Sequence, residues 1–324
     1  MLRMDEISTL LKSEFGIVSS SIFPVPGGFS AKAAYRVAGE DDTEYFLKVY
    51  DKFLPTTRPL VERIDIYMPV LDWLSASSSL CGRVLAPVPA LDGAYKAETD
   101  SDVYVLFIYV HGETPGVKGM TRDQTIELAE ILALLHDASG GVPPEIHELA
   151  EDISLLFCEK LTRYLSKSNT ENDALFELVS PYNGLLHTAM RDAFRLRDTV
   201  RLGYSPLVLC HGDAHGNNVI QGERLVLADW EDLRLAPVEA DLFIYAWHPH
   251  GSVLLEAYAA ARRSYRINHE LLYFYVLRRR IEDVWFNIQR LTEETSDEAE
   301  TAKLLDYTRR GIEEIQVLYH DKRR

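Results

Sequence analysis

Apolar and aromatic positions along the first 110 residues follow the short, interrupted pattern of β-strands. β-Branched and aromatic residues are concentrated between turn signals, which predicts strands over 33–37, 45–50 and 103–110. A helix is predicted over 58–75 from its periodic apolar positions, with Pro59 near its start, where a missing N–H is tolerated. Pro69 lies inside this segment and predicts a kink or a break.

Helical periodicity dominates beyond residue 111. The first helix there begins with a predicted capping box, in which Thr121 caps the first turn and Gln124 reaches back to it. A buried stripe follows at Ile126, Ala129, Leu132 and Leu135. Further helices are predicted over 149–166, 173–201, 252–263 and 270–292, and a short β segment over 207–229 interrupts them.

This division of the chain predicts an α+β fold with two lobes. A small antiparallel-sheet lobe is expected over 1–110, and a larger, mainly helical lobe over 111–324. The junction from Phe107 to His111 is extended and ends in Gly112, which is typical of a hinge beside a ligand cleft.

Composition and charge narrow the class of partner. The chain has 34 Lys and Arg against 50 Asp and Glu, and the formal net charge of −16 repels nucleic acid and weakly favours a cationic ligand. No apolar run approaches the roughly 20 residues that cross a bilayer, so no membrane partner is expected. The N-terminus lacks the features of a secretory signal, and the 3 cysteines lack metal-ligand spacing. A cytoplasmic location is therefore expected.

The strongest chemical signal lies between residues 207 and 231. Segments 219–221 and 224–228 predict a hairpin, which would return Asp229 to the neighbourhood of Asn218. Mg²⁺ prefers hard oxygen ligands, so one carboxylate and one amide form a sufficient protein set beside phosphate and water. Asp213, five residues before Asn218, would then face an acceptor hydroxyl, a spacing typical of phosphoryl transfer. The alternative is that these residues form an ordinary turn.

The first lobe supplies the groups that such chemistry requires. Lys48, in the predicted strand 45–50, would direct its ammonium at the phosphates, and Glu62 on the following helix would hold it, with Asp65 as the rival candidate. A turn containing Gly27, Gly28 and Ser30 could lay backbone N–H groups over a triphosphate. From these residues alone, a plain β-turn fits equally well.

His211 and His215 flank the predicted catalytic aspartate. Their spacing suggests a metal pair, but the helix and glutamate of a zinc protease motif are absent, so no zinc site is predicted. We expect both imidazoles to hold the shape of the loop through hydrogen bonds.

These residues resemble the aminoglycoside phosphotransferase family, which also includes choline, homoserine and methylthioribose kinases and has a protein-kinase-like fold. The resemblance covers most of the chain and is most specific over 211–218 and at Asp229-Trp230. Segments 229–242 and 273–290 are most similar to the spectinomycin phosphotransferase branch.

The resemblance implies roles for individual residues. Asp213 would be the catalytic base, Asn218 and Asp229 would bind Mg²⁺, Lys48 would hold phosphates of ATP or GTP, and Asp241 would brace the catalytic loop. The backbone at Phe107, Tyr109 and Val110 would meet the nucleobase. Asp241 follows Asp229 by only 12 residues, which leaves no room for a long phosphorylated activation segment, so the enzyme is expected to be active without phosphorylation.

The predicted function is therefore an ATP- or GTP-dependent phosphotransferase acting on a hydroxyl of a small, cationic aminocyclitol or aminoglycoside, as a monomer or homodimer. Its role would be antibiotic resistance or metabolism. Candidate partners for substrate ammonium groups are Glu231, Asp232, Glu282 and Asp283. The alternative for the last pair is a surface ion pair with Arg278 and Arg279, one helical turn away. Choline, homoserine or a sugar is the alternative acceptor, and a non-catalytic nucleotide-binding module is a third hypothesis.

Overall fold

A computed structural model gives the conformation of the chain. It describes residues 3–28, 30–77, 79–116, 119–141, 148–166, 173–202, 206–245, 250–263, 265–295 and 297–321. Phe29, inside the predicted glycine-rich turn, lies outside the described residues.

The first part of the chain forms an antiparallel sheet. Its strands are β1 (Ser19–Val25), β2 (Ala33–Gly39), β3 (Glu44–Asp51), β4 (Pro87–Val88), β5 (Ala97–Glu98) and β6 (Asp102–Ile108). They lie in the order β1-β2-β3-β6-β4, and β5 pairs with β6. The three strands predicted from the sequence are confirmed, although the last one ends at Ile108. β1 was not predicted, because an edge strand with Pro24 and three serines lacks the usual β signal.

An amphipathic helix, α1 (Met4–Phe15), precedes the sheet and was also not predicted. Its buried side chains Ile7, Leu11 and Phe15 belong to one core cluster with Tyr35 of β2 and Leu47 of β3. Burial against the sheet, which the local sequence does not reveal, stabilises this short helix.

The predicted helix 58–75 is two helices, α2 (Arg58–Glu62) and α3 (Ile64–Ser77). The interruption lies at Arg63, and α3 continues through Pro69. The proline ring removes one hydrogen bond, to the carbonyl of Asp65 one turn earlier, and the rest of α3 tolerates this loss. The break is therefore displaced from the position that the proline indicated.

The capping box at the start of α4 (Arg122–Ala138) is confirmed, with Thr121 and Gln124 bonded reciprocally. Further elements of the same region are β7 (Val208–Cys210), β8 (Val219–Gln221), β9 (Leu225–Leu227), β10 (Arg234–Ala236), α8 (Glu239–Leu242) and α9 (Gly251–Ala261). β7 pairs with β10, and β8 pairs with β9, both antiparallel. The loops that carry the predicted chemistry connect these short paired strands.

Two compact units divide the chain. The first comprises Met1–Ala150 and Leu207–Arg266, and the second comprises Glu151–Pro206 and Ile267–Arg324. The second contains α5 (Leu156–Leu165), α6 (Asp173–Val179), α7 (Asn183–Leu202), α10 (His269–Glu293) and α11 (Glu298–Asp321). This division does not fall at residue 110, and the predicted lobe boundary stays a prediction.

The helices of the second unit differ from the sequence pattern in three places. The predicted helix 149–166 begins only at Leu156, because Leu155 has left-handed backbone with φ 59°. The predicted helix 173–201 is interrupted over Ser180–Tyr182, where Pro181 cannot donate a backbone hydrogen bond. Helix α11 was not predicted. None of the described helices is long and apolar enough to span a bilayer.

Candidate active site

The predicted hairpin of β8 and β9 is present, although its second strand runs only from Leu225 to Leu227. Val219 lies opposite Leu227 and Gln221 opposite Leu225. The N–H of Ala228 donates to the carbonyl of Asn218 at 2.9 Å, so Asp229 begins directly beside Asn218. The local pairing of two short strands therefore brings together both predicted metal ligands.

Asn218 is bonded to the predicted catalytic base. Its side-chain Nδ2 donates to the Asp213 backbone carbonyl at 2.9 Å and to the Asp213 carboxylate Oδ2 at 3.0 Å. Because the amide nitrogen is committed to Asp213, the amide oxygen is the end of Asn218 that can face a cation. The predicted spacing of five residues thus places both groups in one site.

His215 also contacts the Asp213 carboxylate. Its Nδ1 accepts a hydrogen bond from the N–H of Asn217 at 3.2 Å, so the ring hydrogen lies on Nε2. That nitrogen is 3.4 Å from Asp213 Oδ2, the same oxygen that Asn218 contacts. The His215 ring therefore lies beside the oxygen that the Asn218 amide holds by a hydrogen bond.

His211 holds the loop by bonds to backbone, as expected. Its Nδ1 accepts the N–H of Asp213 at 3.3 Å, and its Nε2 donates to the carbonyl of Ala228 at 2.9 Å. The imidazole packs against Trp230, with ring centroids 4.5 Å apart. His211 therefore connects the catalytic loop with the end of the β8–β9 hairpin.

Asp241, on α8, holds the backbone of the same loop through hydrogen bonds. Its carboxylate accepts the N–H groups of His211 at 3.0 Å and Gly212 at 2.6 Å, and His136 of α4 contacts it at 3.0 Å. Burial alone would raise the pKa of Asp241, but the hydrogen bond with His136 and the nearby imidazoles hold it below the ordinary value. Gly212 has φ 82°, a conformation that glycine adopts without strain.

Asp229 has a strained backbone, with φ 62° and ψ 63°. Its carboxylate lies 2.7 Å from the ammonium of Lys48 on β3. Burial favours a higher pKa for Asp229, yet the Lys48 ammonium outweighs burial and holds that pKa below its usual range. Asp229 is therefore an anion at neutral pH, as a cation ligand must be.

Glu231 is the second partner of Lys48. Its carboxylate contacts the Lys48 ammonium, accepts from the Tyr50 hydroxyl, and accepts from Ser30 Oγ at 2.9 Å. Burial and the neighbouring Asp229 carboxylate raise the pKa of Glu231 to about 7. The Lys48 ammonium occupies this carboxylate in the structure, and the predicted role of Glu231 as an ammonium partner for substrate stays a prediction.

Lys48 pairs with Asp229 and Glu231, and not with Glu62 as the sequence predicted. Glu62 ends α2, is exposed, and pairs with Arg58 at 2.9 Å. The rival, Asp65, pairs with Lys96 at 2.7 Å. Burial would lower the pKa of Lys48, but the adjacent Glu231 and Asp229 outweigh it and raise that pKa above its ordinary value. The sequence contained Glu231, two residues after Asp229, but gave no signal that distinguished it from the acidic residues of the helix.

The glycine-rich turn lies over this cluster. Gly28 has φ 81°, and a side-chain carbon built on it would be 3.7 Å from an Asp229 carboxylate oxygen. Ser30 bonds to Glu231, as described above. Two predicted nucleotide-binding positions of the turn therefore reach the predicted metal ligand and its neighbour. Gly27 packs tightly against Ala34 at the start of β2.

The junction after β6 has most of its N–H groups occupied by the protein. Phe107 pairs with Phe46 in the sheet, the N–H of Ile108 donates to Ala86, and the N–H of Tyr109 donates to Glu44, both at 2.9 Å. For Val110, the hydrogen bonds of the described residues include none from its N–H. Val110 is therefore the best placed of the three predicted positions to donate a hydrogen bond to a base.

The remaining acidic candidates make ion pairs with arginines. Asp232 lies 3.1 Å from Arg234 in the first unit. In the second unit, Asp283 lies 2.8 Å from Arg279, and Glu282 lies 3.9 Å from Arg278. The pairing with Arg278 and Arg279 that the sequence offered as an alternative is thus present, although Arg278 is buried and not at the surface. A role of these carboxylates in substrate binding stays a prediction.

The sequence profile of the phosphotransferase enzyme family matches residues 21–275, which include every group described above except the second-unit acids. The chain belongs to the phosphotransferase enzyme family. This membership confirms the predicted family and the predicted class of enzyme, a small-molecule kinase. No curated protein sequence has a significant match to the chain.

Solved structures show the same fold. A spectinomycin phosphotransferase in complex with ADP and spectinomycin has a TM-score of 0.74 and 18% identity, over 96% of this chain and 97% of the other. A microcompartment-associated aminopropanol kinase has a TM-score of 0.64 and 18% identity, over 98% of each chain. A choline kinase from Streptococcus pneumoniae has a TM-score of 0.63 and 12% identity, over 96% of this chain and 99% of that one. The predicted α+β, protein-kinase-like fold is confirmed.

Proposed function

We propose that this phosphotransferase transfers the γ-phosphoryl group of ATP or GTP to a hydroxyl of a small cationic aminocyclitol or aminoglycoside. The observation that carries the proposal is the hydrogen bond from Asn218 to Asp213 beside Asp229 and Lys48. These contacts bring together four groups: the carboxylate of Asp213, the amide of Asn218, the carboxylate of Asp229 and the ammonium of Lys48. Such a set supplies the positioning and charge neutralisation on which phosphoryl transfer depends.

The donor set fits a magnesium ion. The Asp229 carboxylate and the amide oxygen of Asn218 are hard oxygen donors, and Mg²⁺ commonly takes one or two protein ligands and completes its shell with phosphate and water. Bound there, Mg²⁺ would neutralise phosphate charge as the transition state develops. Lys48 would hold the phosphates, after exchanging its contact with Glu231 or Asp229 for a phosphate oxygen.

Asp213 would act as the base. The acceptor hydroxyl oxygen forms a bond to the γ-phosphorus, and the bond from that phosphorus to the bridging oxygen breaks, which releases the nucleoside diphosphate. The hydroxyl proton passes to the Asp213 carboxylate. The hydrogen bond from Asn218 to Oδ2 orients this carboxylate, and the His215 ring lies beside the same oxygen.

The nucleotide would lie between the glycine-rich turn and the junction after β6. Gly27, Gly28 and Ser30 would cover the phosphates, and the backbone from Phe107 through Tyr109 to Val110 would meet the base. The free Val110 N–H, within the described residues, supports this position. The related spectinomycin phosphotransferase holds ADP, which supports a nucleotide in the cleft of this fold.

The acceptor class is supported by charge and by relatives. The chain carries a formal net charge of −16, and the similar structures include kinases named for spectinomycin, aminopropanol and choline. Asp232, Glu282 and Asp283 are the proposed ammonium partners. The second candidate function keeps the reaction and changes the acceptor to a metabolite such as choline, homoserine or a sugar.

The test is release of nucleoside diphosphate by purified protein with ATP or GTP and Mg²⁺. The acceptors are spectinomycin, aminoglycosides, choline, homoserine and sugars, and Asp213→Asn is the inactive control. We expect turnover with an aminocyclitol or aminoglycoside. Turnover with a metabolite alone would replace the acceptor and keep the reaction, whereas acceptor-independent release that Asp213→Asn retains would refute the assigned base.

A further inference from the structure

We propose that Arg63 is a positioning residue that holds the metal-binding Asp229 through the backbone of the segment that follows it. This inference rests on the proposed function. In protein kinases, a glutamate of the helix in the first lobe holds the lysine of the sheet. Here Glu62 and Asp65 pair with Arg58 and Lys96, so the helix does not reach Lys48 through either carboxylate.

The side chain that joins these helices to the candidate site is Arg63, which lies at the break between α2 and α3. One nitrogen of the Arg63 guanidinium donates to the carbonyl of Glu231 at 3.1 Å, and the other donates to the carbonyl of Leu233 at 2.5 Å. These bonds span 168 and 170 residues of sequence. A single side chain therefore links the break between α2 and α3 to the segment that follows Asp229.

A second arginine, Arg234, binds the same segment and lies close to it in the sequence. Arg234 donates to the carbonyl of Asp232, the one between the two that Arg63 binds, at 2.9 Å. Three consecutive carbonyls, of residues 231, 232 and 233, thus accept hydrogen bonds from guanidinium groups. The first two of these carbonyls belong to a short 3₁₀ turn over Trp230–Asp232, and the third belongs to the residue that follows the turn. Guanidinium groups at the carbonyl end of a turn satisfy acceptors that have no partner in the turn itself.

The reason for such reinforcement is the strain at Asp229. A non-glycine residue at φ 62° costs roughly 1–3 kcal/mol and persists only where its surroundings hold it. Lys48 attracts the side chain of Asp229, but the backbone conformation depends on the turn that follows. Without the Arg63 bonds, the turn can relax and carry the carboxylate away from Asn218.

The experiment measures how Mg²⁺ strengthens binding of ADP, by calorimetric titration at increasing Mg²⁺ concentration. The variants are Arg63→Met, which removes both bonds, and Arg63→Lys, which keeps the charge but cannot reach both carbonyls. Arg58→Met is the matched control, because this arginine begins α2, the helix that Arg63 follows, and is exposed. We expect Arg63→Met to raise the Mg²⁺ concentration at half-effect by about 10-fold or more, as loss of a group that orients a metal ligand does.

Arg63→Lys should raise the Mg²⁺ concentration at half-effect by a smaller factor, and Arg58→Met should leave it unchanged. Binding of ADP without Mg²⁺ should be the same in all of them, which a general loss of structure would not allow. An unchanged midpoint in Arg63→Met, or in Arg63→Lys should the first variant not fold, would overturn the proposal. If the unsubstituted protein shows no Mg²⁺-dependent ADP binding, the proposed function fails and takes this inference with it. Normal binding without turnover of any acceptor rejects only the acceptor.

Discussion

The ammonium of Lys48 lies 2.7 Å from the carboxylate of Asp229, although 181 residues separate them in the sequence. The predicted phosphate-binding cation and the predicted metal-binding anion are therefore in direct contact. Glu231 shares the same ammonium. On the proposed function, a nucleotide bound with its metal would exchange these contacts for contacts with phosphate and cation.

Loss of the Lys48 ammonium should affect catalysis more than folding of the sheet. We expect Lys48→Met to lower kcat by about 10²–10³-fold, the usual cost of removing one group that stabilises transition-state charge. The measurement is steady-state kinetics over a range of ATP concentration. Lys52→Met is the control, because Lys52 pairs with Glu98 outside the cluster. Equal kinetics for the two variants would contradict the role of Lys48.

Asp213→Asn should separate chemistry from binding. The amide can still accept from Asn218 but cannot take a proton, so kcat should fall by about 10²–10⁴-fold, with little change in affinity for ADP and Mg²⁺. Kinetics and calorimetry on the same preparation test both parts. Asp123→Asn, at an exposed position in the first turn of α4, is the control. A large loss of ADP affinity in Asp213→Asn would mean that this residue binds the metal complex instead.

Gly212→Ala should damage the catalytic loop. A side-chain carbon at this position, with φ 82°, would come within 2.6 Å of the Arg234 guanidinium and 2.7 Å of the Asp232 carbonyl. We expect a loss of roughly 1–3 kcal/mol in the free energy of unfolding, together with lower kcat because Asp213 is adjacent.

The matched control is Gly184→Ala in α7, where no atom lies within 4 Å of the new carbon. Alanine favours helix, so this variant should be as stable as the original protein or gain up to about 1 kcal/mol. Urea denaturation measures both variants. Equal stability of the two would show that the Gly212 backbone is not constrained.

Asp241 should make stability depend on pH in the acidic range. Its folded-state pKa is lowered from the ordinary 3.8, so its contribution is fully present above that value and is lost as the pH falls through the lowered pKa. At neutral pH, Asp241→Asn should cost roughly 3 kcal/mol, since it removes one partner of a buried pair with His136. The difference in unfolding free energy between the two proteins should stay constant above about pH 5 and should shrink as the pH falls below about 4. A difference that does not shrink as the pH falls below about 4 would contradict the assignment.

Local signals were sufficient for much of the fold. Strands β2, β3 and β6 and the capping box of α4 follow from residues that are close in sequence, and the structure confirms them. Helix α1 and strand β1 were missed, because their stability comes from packing against the sheet or from one neighbouring strand. The break at Arg63 and the start of α5 at Leu156 depend on backbone conformations that periodicity does not encode.

The sequence by itself determined the composition of the candidate site: Asp213, Asn218 and Asp229 at fixed spacings, with Lys48 on a strand, and through them the family. Short spacings and a local hairpin were enough to bring the first three together. Only the tertiary structure decided which carboxylates meet Lys48 and that an arginine of the helix binds the segment after Asp229. Several acidic residues were equally plausible partners in sequence, because an ion pair across 183 residues depends on how the sheet, helix and loop pack and not on any local pattern.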